Sequence, residues 1–303
     1  SFENYRAAKA RLFTGLAETP GKQQVKRKLA ILNRDDSSFE YLRPLITVPQ
    51  VTYGFSELSQ VRAKNVENRK GGMQFLAVGP GFEALIISNL TGNFNVSNCL
   101  AAICVAKVGL DIELSAIQQG IAALPGVPGR MEVIDLGQDF TTIVDFAHTP
   151  NALRCALETA RTLTAGRVIV VFGSAGLRDK QKRWMMSEIS AQLADLTILT
   201  AEDPRTESLD GILAEMAAGA EATGGVEGRS FWRIADRGDA IRFAVSLAKP
   251  GDVVISCGKG HEQSMCFGEI EYPWDDRIAM RSALSELLGV AGPQMPVLPT
   301  GKS

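Results

Sequence analysis

Apolar residues along this chain fall into short continuous runs separated by stretches with helical periodicity. The clearest run is Val168-Ile-Val-Val-Phe172, bounded by Arg167 and Gly173. It predicts a strand buried on both faces, the pattern of a parallel sheet covered by helices. Around it, strands are predicted over 131–135, 141–146, 196–200, 230–234 and 253–257, and helices over 150–163, 182–193, 209–220, 237–248 and 278–288. Strands alternating with helices of about ten to fifteen residues specify βαβ units, so the fold class is α/β with a Rossmann-like, mostly parallel sheet.

The first part of the chain is patterned differently. Tyr5, Ala8 and Leu12 recur at helical spacing and predict a helix over 3–13 that carries Arg6, Lys9 and Arg11; spacing alone makes Lys9 a surface lysine. A short strand over 28–36 ends in a polar cluster at Asn33 to Asp36, suited to facing a ligand or to capping a helix over 37–45. Segments over 50–53, 61–66, 73–78 and 83–88 read as an antiparallel appendix on an α/β core. Gly92-Asn-Phe-Asn-Val-Ser-Asn98 opens a helix that is apolar almost all round over 99–108, so burial is expected. Three amides at one helix start, Asn93, Asn95 and Asn98, exceed what capping needs and point to a flat, heteroatom-rich ligand such as a purine. A helix over 115–124 runs into Pro125-Gly-Val-Pro-Gly-Arg-Met131, the strongest linker signal in the chain. The domain boundary is placed there, giving domains 1–128 and 129–303.

Composition narrows the function. The chain's 303 residues suffice for two domains with real cores, and 32 basic against 34 acidic residues leave no broad basic surface, so nucleic acid is not an expected partner. The five cysteines show no C-x-x-C or finger-like spacing, and most lie in apolar segments; a reducing, cytoplasmic setting fits. No apolar run reaches the length of a membrane span. The opening Ser1-Phe-Glu-Asn-Tyr-Arg has neither a signal-peptide core nor an initiator methionine, and it reads as the middle of something longer.

Chemistry gathers at the predicted strand ends. The strand over 141–146 delivers Asp145-Phe-Ala-His148, the next Arg178-Asp-Lys, then Glu202-Asp-Pro-Arg205, and the strand over 253–257 delivers Gly258-Lys-Gly-His-Glu262. Both histidines of the chain, His148 and His261, fall in these turns, on the edge where an open α/β sheet binds ligands. Gly173-Ser-Ala-Gly176 does not match the dinucleotide fingerprint G-x-G-x-x-G, which argues against an oxidoreductase. Arg178 and Arg205 beside Asp203 and Glu262 form a mixed-sign set that suits a zwitterion, an amino acid with a charged side chain. The alternative is a set of surface ion pairs bridging neighbouring loops.

Together these stretches resemble the Mur ligase family, ATP-dependent amide-forming enzymes of peptidoglycan synthesis, and within it the branch adding the third residue. The carriers are Ala7-Ala-Lys9, Ile31-Leu-Asn-Arg-Asp-Asp36, Gly92 to Asn98, Gly129-Arg-Met-Glu132, Val144-Asp-Phe-Ala-His-Thr-Pro150, Phe172 to Lys180, Asp203-Pro-Arg205, Gly258 to Glu262 and Trp274-Asp-Asp-Arg277. The resemblance implies Mg2+ and ATP as cofactors, with UDP-N-acetylmuramoyl-L-alanyl-D-glutamate and a diamino acid as substrates of a monomeric enzyme. It implies phosphorylation of a carboxylate followed by attack of the amine. Lys9 matches a lysine that becomes carbamylated and supports magnesium, and His148 lies in a catalytic motif. Asn95 and Asn98 match adenine contacts, and Arg130 and Asp145 match contacts to phosphate and ribose. Arg178, Asp203, Arg205, Gly258 and Glu262 match the amino-acid pocket.

Two departures from the family pattern matter. No G-x-x-x-x-G-K-[ST] occurs in the chain, and the UDP-binding domain is likewise missing, so residues 1–128 are expected to be the last part of the central ATP-binding domain. The chain alone is expected to be inactive, which ADP formation by it would refute. Relatives that add meso-diaminopimelate carry Asp-Asn-Pro-Arg where this chain has Glu202-Asp-Pro-Arg205. Asp203 then adds negative charge favouring a side chain that ends in a bare ammonium, as in lysine or ornithine, whereas Arg205 suits a distal carboxylate. Both substrates stay open. So does a non-catalytic relative that binds an amino acid or muropeptide, although retained Lys9, Asn95, Asn98 and Arg130 speak against it.

Overall fold

The computed structural model describes residues 2–20, 28–69 and 71–300. They form two units, Ser1–Pro125 and Gly126–Ser303.

In the first unit a helix α1 (Phe2–Thr14) precedes β1 (Ala30–Asn33), and a short helix α2 (Phe39–Leu42), extended by a 3-10 turn at Arg43–Leu45, leads to β2 (Gln50–Gly54). β3 (Val61–Arg69), β4 (Gly72–Gly79) and β5 (Phe82–Ser88) complete a sheet of order β1-β2-β3-β4-β5. The antiparallel arrangement expected from sequence holds for β3 to β5 but not for β2, which runs parallel to both neighbours. The crossover through α2 returns the chain in the same direction. β2 and β3 overlap only at their ends, Tyr53 beside Val61 and Gly54 beside Arg62, so a short loop can carry the chain on without reversal. Helix α3 (Asn93–Ile103) continues through a π-helical turn, Cys104–Gly109, before α4 (Leu114–Ala123). Val96, Leu100 and Cys104 of this helical stretch pack with Val61, Phe75 and Ala77 in the unit's core. Its expected burial all round is corrected: Val105 is 48% exposed, because the sheet covers only one side of the helix.

The second unit has a six-stranded sheet. Its strands are β6 (Glu132–Ile134), β7 (Thr141–Asp145), β8 (Val168–Phe172), β9 (Leu196–Leu199), β10 (Phe231–Arg233) and β11 (Val253–Cys257), in spatial order β10-β9-β8-β11-β7-β6. All neighbours are parallel except β6 and β7. Helices α5 (Pro150–Thr162), α6 (Gln181–Leu193) and α7 (Leu209–Ala222) pack in sequence on one another, and α8 (Arg237–Leu247) packs with α9 (Asp276–Leu288). All five β8 residues are fully buried, each worth about 1.5–3 kcal/mol relative to an exposed position. Helix starts are set by side chains: Thr149, Ser208, Asp236 and Asp275 each accept a first-turn N–H, and Pro150 occupies the first turn of α5. A hairpin of β12 (Ser264–Phe267) and β13 (Ile270–Pro273), not foreseen from sequence, follows β11.

Candidate functional site

Parallel strands put their carboxyl ends on one edge, and the order β9-β8-β11-β7 makes the four motif-bearing turns neighbours there. Residue choice at the middle positions decides what can cross between them. An added Cβ at Gly173, just after β8, would lie 2.7 Å from the Glu202 Cβ, and one at Gly258, just after β11, 2.4 Å from Glu202 Oε2. Glu202 therefore reaches from the end of β9 past β8 to β11, through a gap left by two glycines. Gly258 also has φ 116°, a conformation that side chains resist.

Glu202 is 5% exposed, and its Oε2 is buried without a hydrogen-bond partner among the described residues, as are Ser174 Oγ and Arg205 Nε in the same loops. Burial pushes the Glu202 carboxyl up to about 7, with Asp203 adding repulsion against the pull of Lys182, Arg237 and Lys259. Asp203 and Arg205 both hold left-handed backbone, at φ 40° and 54°, which costs on the order of 1–3 kcal/mol each. Four hydrogen bonds hold this turn. Gly176 N–H donates to the Asp203 carbonyl at 2.9 Å, Arg205 N–H to the Cys266 carbonyl at 3.1 Å, and Gly268 N–H to the Arg205 carbonyl at 2.7 Å. Cys266 N–H donates to Asp203 Oδ1 at 2.8 Å, so the unforeseen hairpin is the wall that fixes the turn.

From sequence, Asp203 and Glu262 read as free acids, and Lys259 carries no expectation of its own. Lys259 is 2% exposed, and its Nζ lies 3.0 Å from both Asp203 oxygens and 2.7 Å from Glu262 Oε2. The signal available was its place inside Gly258-Lys-Gly260, where flanking glycines turn the chain inward. Arg178 is exposed and has no ion pair among the described residues, although its loop is tied to Asp203 through Gly176.

Beneath these turns, Arg237 and Asp276 form a fully buried pair with contacts of 2.7 and 2.6 Å. The same guanidinium donates to the carbonyls of Ala201 at 3.1 Å and Cys257 at 2.8 Å, the residues preceding Glu202 and Gly258. Trp274 Nε1 and Ser256 Oγ donate to Asp276 at 2.7 and 2.9 Å, so every acceptor position of this buried carboxylate faces a donor. The motif Trp274-Asp-Asp-Arg277 thus anchors, through Arg237, the backbone at the ends of β9 and β11.

At the end of β7, Asp145 accepts from Met131 N–H at 2.7 Å and Ala147 N–H at 2.8 Å. Burial raises its carboxyl, opposed by those two bonds and by the charge of Arg130. The Arg130 guanidinium lies 4.1 Å from the centre of the Phe146 ring, a cation–π contact. His148 packs edge-on against the same ring at 4.4 Å, and its Nδ1 lies 2.9 Å from the Phe146 carbonyl. A carbonyl only accepts, so Nδ1 carries the hydrogen and Nε2 is left as the basic nitrogen.

The remaining residues expected at the site belong to the first unit. Asn95 is buried, donating to the Thr91 carbonyl at 2.9 Å and accepting from Asn98 Nδ2 at 3.2 Å; Asn98 itself is exposed. Lys9 is exposed on α1 with its Nζ 5.4 Å from the centre of the Tyr5 ring. Among the described residues no cluster of three or more His, Cys, Asp or Glu side chains is arranged to hold a metal ion, and no helix is long and apolar enough to cross a membrane.

Comparison with known proteins matches residues 1–106 to the Mur ligase middle domain and residues 129–260 to the Mur ligase glutamate ligase domain. A UDP-N-acetylmuramyl-tripeptide synthetase of Roseiflexus sp. (strain RS-1) is 44% identical over 94% of this chain and 57% of its own length. A UDP-N-acetylmuramoyl-L-alanyl-D-glutamate--2,6-diaminopimelate ligase of Geobacillus kaustophilus (strain HTA426) is 40% identical over the same shares, 94% and 57%. A solved structure of a ligase of that second name superposes with TM-score 0.60 at 31% identity, covering 95% of this chain and 57% of the other. The chain thus spans a little over half the length of these relatives.

Proposed function

Because the chain belongs to the Mur ligase family, we propose that it carries the amino-acid-selecting part of an ATP-dependent ligase. That ligase joins a diamino acid to UDP-N-acetylmuramoyl-L-alanyl-D-glutamate in peptidoglycan synthesis, in the cytoplasm. Meso-diaminopimelate, L-lysine and L-ornithine are the candidate diamino acids. Residues 1–128 are assigned to the central ATP-binding domain and 129–303 to the carboxyl-terminal domain.

The observation that carries the reading is the meeting of Glu202 with Gly258 and of Asp203 with Lys259 and, through it, Glu262 across the ends of β9 and β11, beside Arg205 in the same turn. Anionic and cationic groups with buried, unpartnered polar atoms suit a zwitterion better than an apolar ligand. Arg205 is assigned to a substrate carboxylate and Glu262, which is 41% exposed, to an ammonium group.

The residues assigned to the nucleotide fit ATP unevenly. Arg130, cationic and half-buried on Phe146, suits a phosphate. Asp145 keeps acceptor capacity beyond its two backbone bonds, enough for a ribose hydroxyl. Of the two amides, Asn98 has the spare capacity to meet a base, since both ends of the Asn95 amide are engaged. ATP with Mg2+ supplies the phosphoryl group that activates a carboxylate toward an amine; Lys9 is assigned to supporting the metal. His148, with Nε2 free to accept, is assigned to holding a proton near the reacting groups.

Isothermal titration calorimetry of the 303-residue chain with the three diamino acids tests this reading. Binding of at least one with Kd of about 1 mM or tighter is expected. No heat with any of them overturns it.

A further inference from the structure

Lys259 is the only cation within hydrogen-bonding distance of Asp203 among the described residues. At 2% exposure it has no solvent to lean into. Its ammonium touches both oxygens of Asp203 at 3.0 Å, while the Cys266 N–H holds Oδ1 from the other side at 2.8 Å. The Asp203 carboxylate is thereby engaged by the protein itself. With both oxygens engaged, Asp203 has little left to offer an incoming ammonium, because a second cation would have to compete with one already desolvated beside it; Glu262 meets Lys259 through Oε2 and, at 41% exposure, keeps its other oxygen for a ligand.

Arg205 stands two residues on, with its Nε buried and unpartnered among the described residues. The charge the pocket offers a ligand's distal end is therefore cationic.

We propose that Lys259 is the specificity-determining residue of this site. By holding Asp203 on its own ammonium it withdraws that carboxylate from ligand binding, and the site selects a diamino acid whose distal end carries a carboxylate over one ending in an ammonium alone. The proposal rests on the amino-acid-site reading above. It reverses the expectation that Asp203 favours lysine or ornithine. Lys259 acts through Asp203 and Glu262, not by touching substrate, so it is a positioning residue, and its signature is a change of preference.

The test is calorimetry of the 303-residue chain and two single variants with meso-diaminopimelate and with L-lysine, read as the ratio of their Kd values. The unaltered chain is expected to prefer meso-diaminopimelate at least about tenfold, a difference of about 1.4 kcal/mol. Lys259→Met uncovers Asp203, and the preference is expected to collapse about tenfold or more. Asp203→Asn leaves Lys259 paired with Glu262 alone, the site becomes one charge more positive, and the preference is expected to rise. The double variant Lys259→Met/Asp203→Asn is expected to recover meso-diaminopimelate binding relative to Lys259→Met, which a purely structural lysine would not allow.

If Lys259→Met does not fold, Asp203→Asn decides alone: an unchanged or reduced preference overturns the proposal. A preference of the unaltered chain for lysine overturns it while leaving the amino-acid-site reading intact. Absence of binding by both diamino acids overturns the two together.

Discussion

Glu202→Gln removes a charge from a place where the fold gives charge almost no solvent. The carboxyl is 5% exposed, its Oε2 has no hydrogen-bond partner among the described residues, and burial lifts it from the ordinary 4.5 to about 7. Below 4.5 the group is protonated in folded and unfolded chains alike and costs nothing. Between 4.5 and about 7 the unfolded chain ionises while the folded one keeps its proton, so stability falls as pH rises. Above about 7 both states are ionised and the full cost stands, on the order of 3 kcal/mol for this displacement. A neutral glutamine escapes that cost. From about pH 5.5 to about pH 8.5 the variant should therefore gain about 2 kcal/mol on the unaltered chain, or roughly 4–8 °C in Tm for a unit of this size. All three tryptophans, Trp184, Trp232 and Trp274, lie in the second unit, so fluorescence-detected melts report that unit alone. Parallel Tm profiles for the two proteins across this range would refute the account of a desolvated, titrating carboxyl.

Asp276→Asn breaks the buried pair with Arg237 and leaves a guanidinium uncompensated; a loss of about 3–5 kcal/mol, on the order of 10 °C in the same fluorescence melt, is expected. Gly258→Ala forces a Cβ into φ 116° and within 2.4 Å of Glu202 Oε2; destabilisation by more than about 1 kcal/mol in urea titration is expected, along with weaker diamino-acid binding. Arg205→Gln removes the cation assigned to the distal carboxylate, and calorimetry should show at least about a tenfold loss for meso-diaminopimelate with little change for L-lysine.

How far the sequence could be read follows from how local each signal is. The β8 run and the alternation around it are visible because burial on two faces and helical spacing leave their mark within a few residues. The motifs at the strand ends follow from the same alternation, since parallel strands must put them on one edge. The β12–β13 hairpin has strands of only four residues each, too short to carry a period. β2 is parallel because of where its crossover returns it, and no pattern within β2 records that.

The charges at the site were legible as residues but not as states. A lysine between glycines reads as a solvated side chain, and a glutamate at a strand end reads as an ionised acid. Lys259 is buried and paired, because Gly258 and Gly260 turn it inward onto Asp203 and Glu262. Glu202 lies in a gap that exists only because the two residues it passes, Gly173 and Gly258, have no side chains. Both facts depend on β9, β8 and β11 being neighbours in space while Glu202 and Lys259 are far apart in sequence. The sign of charge that a ligand meets here is thus a property of the strand order. A substitution such as Asp for Asn at position 203 cannot be read for specificity until the residue across the sheet edge is known.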